Sequence, residues 1–180
     1  MNRRALIMAG LAGSTLGLPS LARSAPRPDY ENKLKKLGIT LPDAPAPVAN
    51  YVPFRRVGNL LYIAGQGPAL SAGGKVIGTL GKDLNIKEGY GAARSAGLNV
   101  LAQLRSALGS LNAVRQCVKL GGFVNSADDF HDQPAVINGA SDLFVEVFGE
   151  AGKHARFAVG VNTLPFNVAV EIESVWEIWP

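Results

Sequence analysis

The sequence predicts a single α+β domain in which two helices cover one face of a mixed β-sheet. Two stretches, 86–108 and 134–148, carry apolar residues at helical spacing. Short β-rich runs stand before, between and after them, which gives the order strand, strand, helix, strand, helix, strand, strand. A chain of 180 residues with 47% hydrophobic residues buries one core and is too short for two ordinary domains. Packing both helices on one face of the sheet is then the economical arrangement.

The first 24 residues have the anatomy of a secretory signal. Two arginines open the segment, an apolar, Gly-rich stretch follows at 5–18, and small residues stand three and one positions before a cleavage point after Ser24. The arginine pair fits the twin-arginine route, and the general route stays open. The apolar run is shorter than the roughly 20 residues that span a bilayer, so a permanent anchor is not expected. We expect an exported, periplasmic protein that contacts the membrane only during transit.

Residues 25–50 are predicted to form a proline-rich arm in front of a domain at 51–180. The segment contains five of the eleven prolines, and such density interrupts regular structure. A short helical stretch around 32–37 places Leu34 and Leu37 on one side. The arm is therefore expected to lie over the domain.

The domain opens with a predicted hairpin. Two β-rich runs, 51–57 and 60–64, flank a Gly-Asn pair, which favours a tight turn between antiparallel strands. The glycine-rich stretch 65–85 follows as a long loop, or as a loop with a small hairpin across its Gly-Gly pair at 73–74.

Both predicted helices have recognisable ends. Gly109 follows the last apolar residue of the first helix. Pro134 stands in the first turn of the second helix, and Gly149 stands just past its end. A strand at 113–124 connects the helices, with a bulge expected at Gly121-Gly122.

The last two strands, 155–161 and 168–176, are predicted to pair around a Leu-Pro turn. Arg156 stands in the first strand, and Glu171 and Glu173 stand in the second, each in an otherwise apolar setting. A guanidinium in such a setting usually needs a carboxylate partner. One interpretation is an internal ion pair between the arginine and a glutamate. The other is a site where Arg156 holds a substrate carboxylate in a bidentate fork while a glutamate transfers a proton.

Two further polar features have simple structural interpretations. The acidic cluster around His131, formed by Asp128, Asp129 and Asp132, precedes a Pro-led helix, where a turn and a helix cap are favoured over a metal site. His154 precedes the arginine strand, where an exposed strand-end residue is favoured over one that modulates a cleft. No metal site is predicted.

The C-terminal residues resemble the RidA (YjgF) family. The run ARFAVGVNTLP at 155–165, followed by VAVEIE at 168–173, is similar to the family's Ala-Arg strand, Leu-Pro turn and Val-Glu-Ile-Glu strand, with no gap between arginine and glutamate. Upstream, Tyr51, a Gly-Asn turn at 58–59 and AGQ at 64–66 match the family's tyrosine, hairpin and Ser-Gly-Gln at equal spacing. Together the matches extend from Tyr51 to Glu173.

This resemblance implies a chorismate-mutase-like α+β fold, assembled as a homotrimer with three clefts between subunits. It also implies hydrolysis of 2-imino or enamino acids to 2-keto acids and ammonia, without a cofactor or a metal. Arg156 would bind the substrate carboxylate, and Glu171 would orient or activate the attacking water. An imine carbon is already electrophilic, so positioning plus one proton acceptor is enough. The residues implied in substrate binding are Tyr51, Gly65, Arg156, Phe157 and Ala158.

The chain departs from the family pattern at three positions. Ala64 stands where the family has serine, Ala158 replaces a frequent cysteine, and Phe157 places a bulky ring beside the arginine. Residues 67–85 and the proline-rich arm also make the chain longer than the compact deaminases.

Two other functions belong to different classes. The alternative is a non-catalytic module of the same fold that holds a small carboxylate such as a keto acid. An endoribonuclease, a label attached to some relatives, is less expected. The formal charge is +4, but three of the eighteen basic residues lie in the secretory signal, which leaves fifteen against fourteen acidic residues. Since single-strand binding needs a basic groove or stacking aromatics, no nucleic-acid partner is expected.

Overall fold

The computed structural model describes residues 27–70 and 75–180. The predicted secretory signal and the Gly-Gly turn at 73–74 lie outside the described residues. The described helices and strands are, in chain order, α1 (Tyr30–Lys36), β1 (Phe54–Val57), β2 (Leu60–Gln66), α2 (Ile86–Leu108), β3 (Val114–Asn125), α3 (Gln133–Phe148), β4 (Ala155–Val161) and β5 (Val170–Ile178). From β1 onwards this is the predicted order.

The five described strands form one mixed sheet in the order β1-β2-β5-β3-β4. Strands β3 and β4 are parallel, and the other neighbouring pairs are antiparallel. The prediction that the last two strands pair with each other is wrong, because β3 lies between them. Helix α3 carries the chain from β3 to a parallel β4, as a crossover connection requires, and β5 then enters between β2 and β3.

The predicted bulge at Gly121-Gly122 is also wrong. These residues pair in unbroken register with Glu173 and Ile172 of β5, and the register shifts lie earlier in β3. The glycines instead allow close packing. A Cβ at Gly122 would collide with the side chain of Ile137 on α3.

Helices α2 and α3 cover one face of the sheet. Along β5 buried residues alternate with half-buried ones, and Trp176 is 0% exposed where it packs edge-on against Phe144 of α3. Helix α2 begins in a capping box, because Asn85 and Glu88 bond reciprocally to each other's backbone N–H groups. The sheet and the helix pair therefore form a rigid support for side chains at the sheet's ends and edges.

The proline-rich arm runs beside α2. Glu31 of α1 accepts hydrogen bonds from Arg105 and from the backbone N–H of Leu111. Further along, the buried side chain of Gln103 donates from Nε2 to the carbonyl oxygen of Pro45 at 2.6 Å. These bonds hold both ends of the arm against the domain. None of the described helices is both long and apolar enough to cross a membrane.

Candidate functional site

A cavity of about 760 Å³ opens where the arm passes the end of β2 and the start of β5. One wall belongs to the arm and includes three prolines and Val48. The opposite side is formed by Tyr51, Gly65 and Glu171, three of the residues that the sequence resemblance implied. The fold therefore brings these three together within one chain.

Glu171 is the acid on the sheet side of this cavity. Its neighbours in β5, Val170 and Ile172, are fully buried under the helices, so Glu171 belongs to the alternate, half-buried set. Burial raises the pKa of its carboxyl group above the usual value. The raised pKa makes this group a better proton acceptor near neutral pH than an ordinary glutamate.

Gly65 provides the space that the Glu171 carboxylate occupies. The register between β2 and β5 shifts between Ile63 and Gln66, so Gly65 lies in a bulge. The Gln66 side chain donates to the carbonyl oxygens of Ala64 and Gly65, which holds the bulge in shape. A Cβ at Gly65 would collide with Oε1 of Glu171. Only a glycine leaves room for the carboxylate at this point.

The charge inside the cavity is negative. Asp43 and Glu171 are the ionisable acids among the described residues that line it, and no lysine, arginine or histidine joins them. A substrate carboxylate would be repelled here unless a cation arrives from elsewhere.

Arg156 lies on β4, at the edge of the sheet, and is exposed. Its Nη1 donates to Oδ1 of Asn138 at 2.8 Å and to Oγ of Ser141 at 3.0 Å, both on α3. The Nε and Nη2 groups have no acceptor among the described residues. The predicted ion pair between Arg156 and Glu171 or Glu173 is therefore wrong. It depended on direct pairing of the last two strands, and β3 lies between them. One edge of the guanidinium remains available for a bidentate carboxylate.

His154 contacts the same arginine indirectly, through the hydroxyl group of Ser141. Its Nδ1 lies 2.7 Å from the carbonyl oxygen of Gly152, so Nδ1 carries the proton and Nε2 accepts from Ser141 Oγ at 3.1 Å. Ser141 thus donates to the histidine and accepts from Arg156. Burial lowers the pKa of His154, and the neighbouring Arg156 lowers it further. The histidine is half-buried rather than the exposed strand-end residue that the sequence favoured.

Phe157 and Ala158 do not line the cavity. The Phe157 ring packs edge-on against Phe123, and Lys119 lies over it at 5.2 Å. Lys119 also pairs with Glu173 at 2.8 Å. Ala158 packs against the hydrophobic core. Within one chain these residues accompany Arg156 and stay apart from Glu171.

Asp132, from the acidic cluster, stands at the N-cap position of α3, as predicted, although its side chain makes no capping hydrogen bond. The lining of the cavity includes none of the cluster, whose four residues are exposed.

Sequence reasoning missed two parts of the cavity. Asn99 of α2 is 4% exposed and donates from Nδ2 to the carbonyl oxygen of Gly67, while its Oδ1 has no partner among the described residues. Such an acceptor can receive an N–H or O–H group from a ligand or water. The arm wall was missed because prolines show no periodicity. For Asn99 a signal was available, because it is a polar residue within an apolar helical stripe.

A cavity with one half-buried acid, and a separate arginine at the edge of the sheet, is typical of a protein that binds a small molecule. The family model described as "YjgF/chorismate mutase-like, putative endoribonuclease" matches residues 31–176. "Protein TCP17" from Trypanosoma cruzi is 49% identical over 146 residues, which cover 81% of this chain and 91% of that protein. A solved structure of a protein of unknown function from Agrobacterium tumefaciens is 48% identical, with a TM-score of 0.76 over 83% of this chain and 92% of that one.

The chain belongs to the YjgF/RidA family and has its chorismate-mutase-like fold. Membership in this family supports imine deamination as the general class of activity. A relative from Dermatophagoides farinae, 30% identical over 76% of this chain and 92% of its own length, is named 2-iminobutanoate/2-iminopropanoate deaminase.

Proposed function

We propose that the protein is a homotrimeric deaminase that hydrolyses 2-imino or enamino acids to 2-keto acids and ammonia. Its site is a cleft between subunits, with Tyr51, Gly65 and Glu171 from one chain and Arg156 from the next. Phe157 and Ala158 border the cleft on the side of Arg156.

The separation of acid and cation carries this proposal. The cavity beside Glu171 is concave but has no cation among its described lining residues. Arg156 is exposed at a sheet edge with Nε and Nη2 unused. A second chain that brings its β4 edge to the cavity supplies the missing positive charge, and closed cyclic assembly repeats this contact three times.

The chemistry needs few groups. The Arg156 fork holds the substrate carboxylate and fixes the imine carbon beside Glu171. Glu171 accepts a proton from water while the water oxygen bonds to that carbon, and then passes this proton to the nitrogen. The hydroxyl group of the resulting tetrahedral intermediate gives up its proton in turn, and the same carboxylate carries it to the nitrogen. The carbon–nitrogen bond then breaks, which releases ammonia and leaves the 2-keto acid. The raised pKa of Glu171 favours this proton transfer.

RNA cleavage is disfavoured by the same charges. The cavity lining contains two carboxylates and, among the described residues, no basic side chain. A polyphosphate strand binds through basic residues that track its backbone.

The test is complementation between two inactive chains. Arg156→Ala and Glu171→Gln, each purified alone, are expected to lose turnover of a 2-imino acid generated in situ. Co-expressed with different tags and purified through both, they form mixed trimers. Purification through both tags leaves only trimers that contain both variants, and in such a ring one of the three clefts takes its glutamate from the Arg156→Ala chain and its arginine from the Glu171→Gln chain. About one third of the clefts therefore regain both groups. Turnover is expected to return in that proportion.

The matched control pairs Arg156→Ala with the double variant Arg156→Ala/Glu171→Gln, which restores no intact cleft. If mixed trimers of the two single variants show no turnover, Arg156 and Glu171 of one cleft do not come from neighbouring chains. Wild-type protein that binds keto acids but accelerates no imine would instead be the non-catalytic binding module.

A further inference from the structure

The cavity is much larger than the reacting group requires. Its volume of about 760 Å³ lies within the range of roughly 300–1,000 Å³ for sites that enclose a whole small molecule. Glu171 belongs to its lining, and the arm contributes Pro42, Pro45, Pro47 and Val48 together with one exposed acid, Asp43. Most of the remaining lining residues are apolar, which leaves an apolar space beside the position of the imine.

Exposed hydrophobic side chains gather around this space. Val48 is 76% exposed, Phe166 is 72% exposed and Leu70 is 62% exposed, and all three line the cavity. A contiguous patch of exposed apolar side chains marks a binding site more often than scattered ones do. An apolar ligand group that covers them removes this area from water.

The backbone presents the ring of Phe166 at some cost. This residue has φ 55° and ψ 17°, the left-handed conformation that a bulky side chain rarely adopts. The next residue, Asn167, also has φ 55° and is held from three sides, by Asn125, Leu164 and Gly78. Strain that is held in place by surrounding bonds at the edge of a cavity points to a function for the residue that carries it.

The opposite wall is fixed before any ligand arrives. Gln103 is 1% exposed and holds the carbonyl oxygen of Pro45 at 2.6 Å. The prolines restrict the arm further. Because little ordering remains to occur on binding, the contact area of this wall contributes to affinity with a small entropic cost.

Resting on the proposed function, we propose that the space between the arm and Phe166 takes the side chain of the substrate. The enzyme accordingly prefers 2-imino acids with large apolar side chains, branched aliphatic or aromatic, over the imine of alanine. The arm and Phe166 determine specificity, and Glu171 and Arg156 act on the part that all these substrates share.

The experiment compares imines of leucine, phenylalanine and alanine, each generated in situ by an amino-acid oxidase. Wild type is expected to have a kcat/KM at least about ten-fold higher for the two large substrates. Phe166→Asn is the variant, because asparagine adopts the left-handed conformation readily and replaces the ring with a small carboxamide. It should lower kcat/KM for the large imines about ten-fold and change the alanine imine less than about two-fold. Val57→Asn, at an exposed residue outside the cavity, should leave all three unchanged.

Binding gives an independent readout. By calorimetry, 4-methyl-2-oxopentanoate should bind at least about ten-fold more tightly than pyruvate, and Phe166→Asn should remove most of this difference. Equal turnover and equal binding of large and small compounds would overturn the inference and leave the deaminase proposal standing. If no imine is accelerated, the deaminase proposal fails, and the two binding constants alone decide between an apolar side-chain site and none.

Discussion

The cavity at the end of the sheet is concave and has two carboxylates in its lining, whereas strand β4 at the sheet's edge is exposed and carries a guanidinium. The first region is shaped by a bulge, a glycine and a proline-rich wall. The second is shaped by two polar side chains of α3 that hold Nη1 of Arg156. Under the proposed function each region supplies one half of the site, and within a single chain the two halves lie apart. The two should therefore respond differently to substitution.

Glu171→Gln is expected to have the largest effect on the cavity region. Loss of a general base typically lowers kcat by about 10²- to 10⁴-fold, while binding of a keto acid, which depends on Arg156, should change only a few-fold. Steady-state kinetics and calorimetry measure the two quantities. Binding lost in parallel with turnover would mean that the carboxylate holds the ligand rather than the water.

The same variant should be more stable than wild type at neutral pH. Burial raises the folded-state pKa of Glu171 above its usual value of 4.5, so the folded protein binds the proton more tightly than the unfolded chain does. Glu171 therefore stabilises the folded wild-type protein below pH 4.5, and this stabilisation is lost as the pH rises through the raised pKa. The Tm difference between Glu171→Gln and wild type should therefore grow over this interval. Turnover should rise over the same interval, because the base acts when it is deprotonated.

Gly65→Ala comes next in size. Its Cβ would lie 2.8 Å from Cδ of Glu171 and collide with Oε1, so the carboxylate must move away from its place. We expect kcat to fall about ten-fold or more, since a displacement of about 1 Å at a reacting group is costly. Gly91→Ala is the matched control, because Gly91 lies within α2 and a Cβ there meets nothing within 4 Å. That variant should raise the free energy of unfolding by about 0.5–1 kcal/mol and leave kcat unchanged.

Ser141→Ala should have the smallest effect and should fall on the arginine region. It removes one acceptor of Arg156 and the hydroxyl that bonds His154, but Asn138 still holds the guanidinium. KM should rise a few-fold with little change in kcat, and Ser141→Thr, which keeps the hydroxyl, should recover the wild-type KM. Ser106→Ala on the exposed side of α2 serves as control. An equal fall of kcat and kcat/KM would place Ser141 in the chemical step instead.

Local patterns predicted the elements well, because their causes are local. The apolar stripe of α2 lies within the helix that it predicted, and Gly109 follows directly at the C-terminal end. Strand neighbours were harder, because nothing in 155–176 shows that β3 comes between the last two strands. The bulge assigned to Gly121 failed for a related reason, since a glycine looks the same in a bulge as in a close contact with a helix.

The candidate site divides in the same way. The motif match located Tyr51, Gly65 and Glu171, and the fold brings them to one cavity. The resemblance predicted Arg156 as the carboxylate ligand, and this stays a prediction. Its hydrogen-bond partners Asn138 and Ser141 lie on a helix, and their position depends on tertiary packing. The arm's wall depends on the bond from Gln103 to Pro45, between residues 58 positions apart in the chain.

Strand β5 has hydrogen-bonded neighbours on both sides, β2 and β3, although it is the last of the five described strands to be synthesised. Until it emerges, the sheet consists of two separate pieces, β1-β2 and β3-β4, each with an apolar face that lacks its neighbour. Contacts of such long sequence separation slow folding, and a nascent chain at this stage is exposed to aggregation. We therefore expect the sheet to form only after β5 has left the ribosome. Glu171 arrives with the strand that completes the sheet, so no shorter nascent chain carries the cavity's acid.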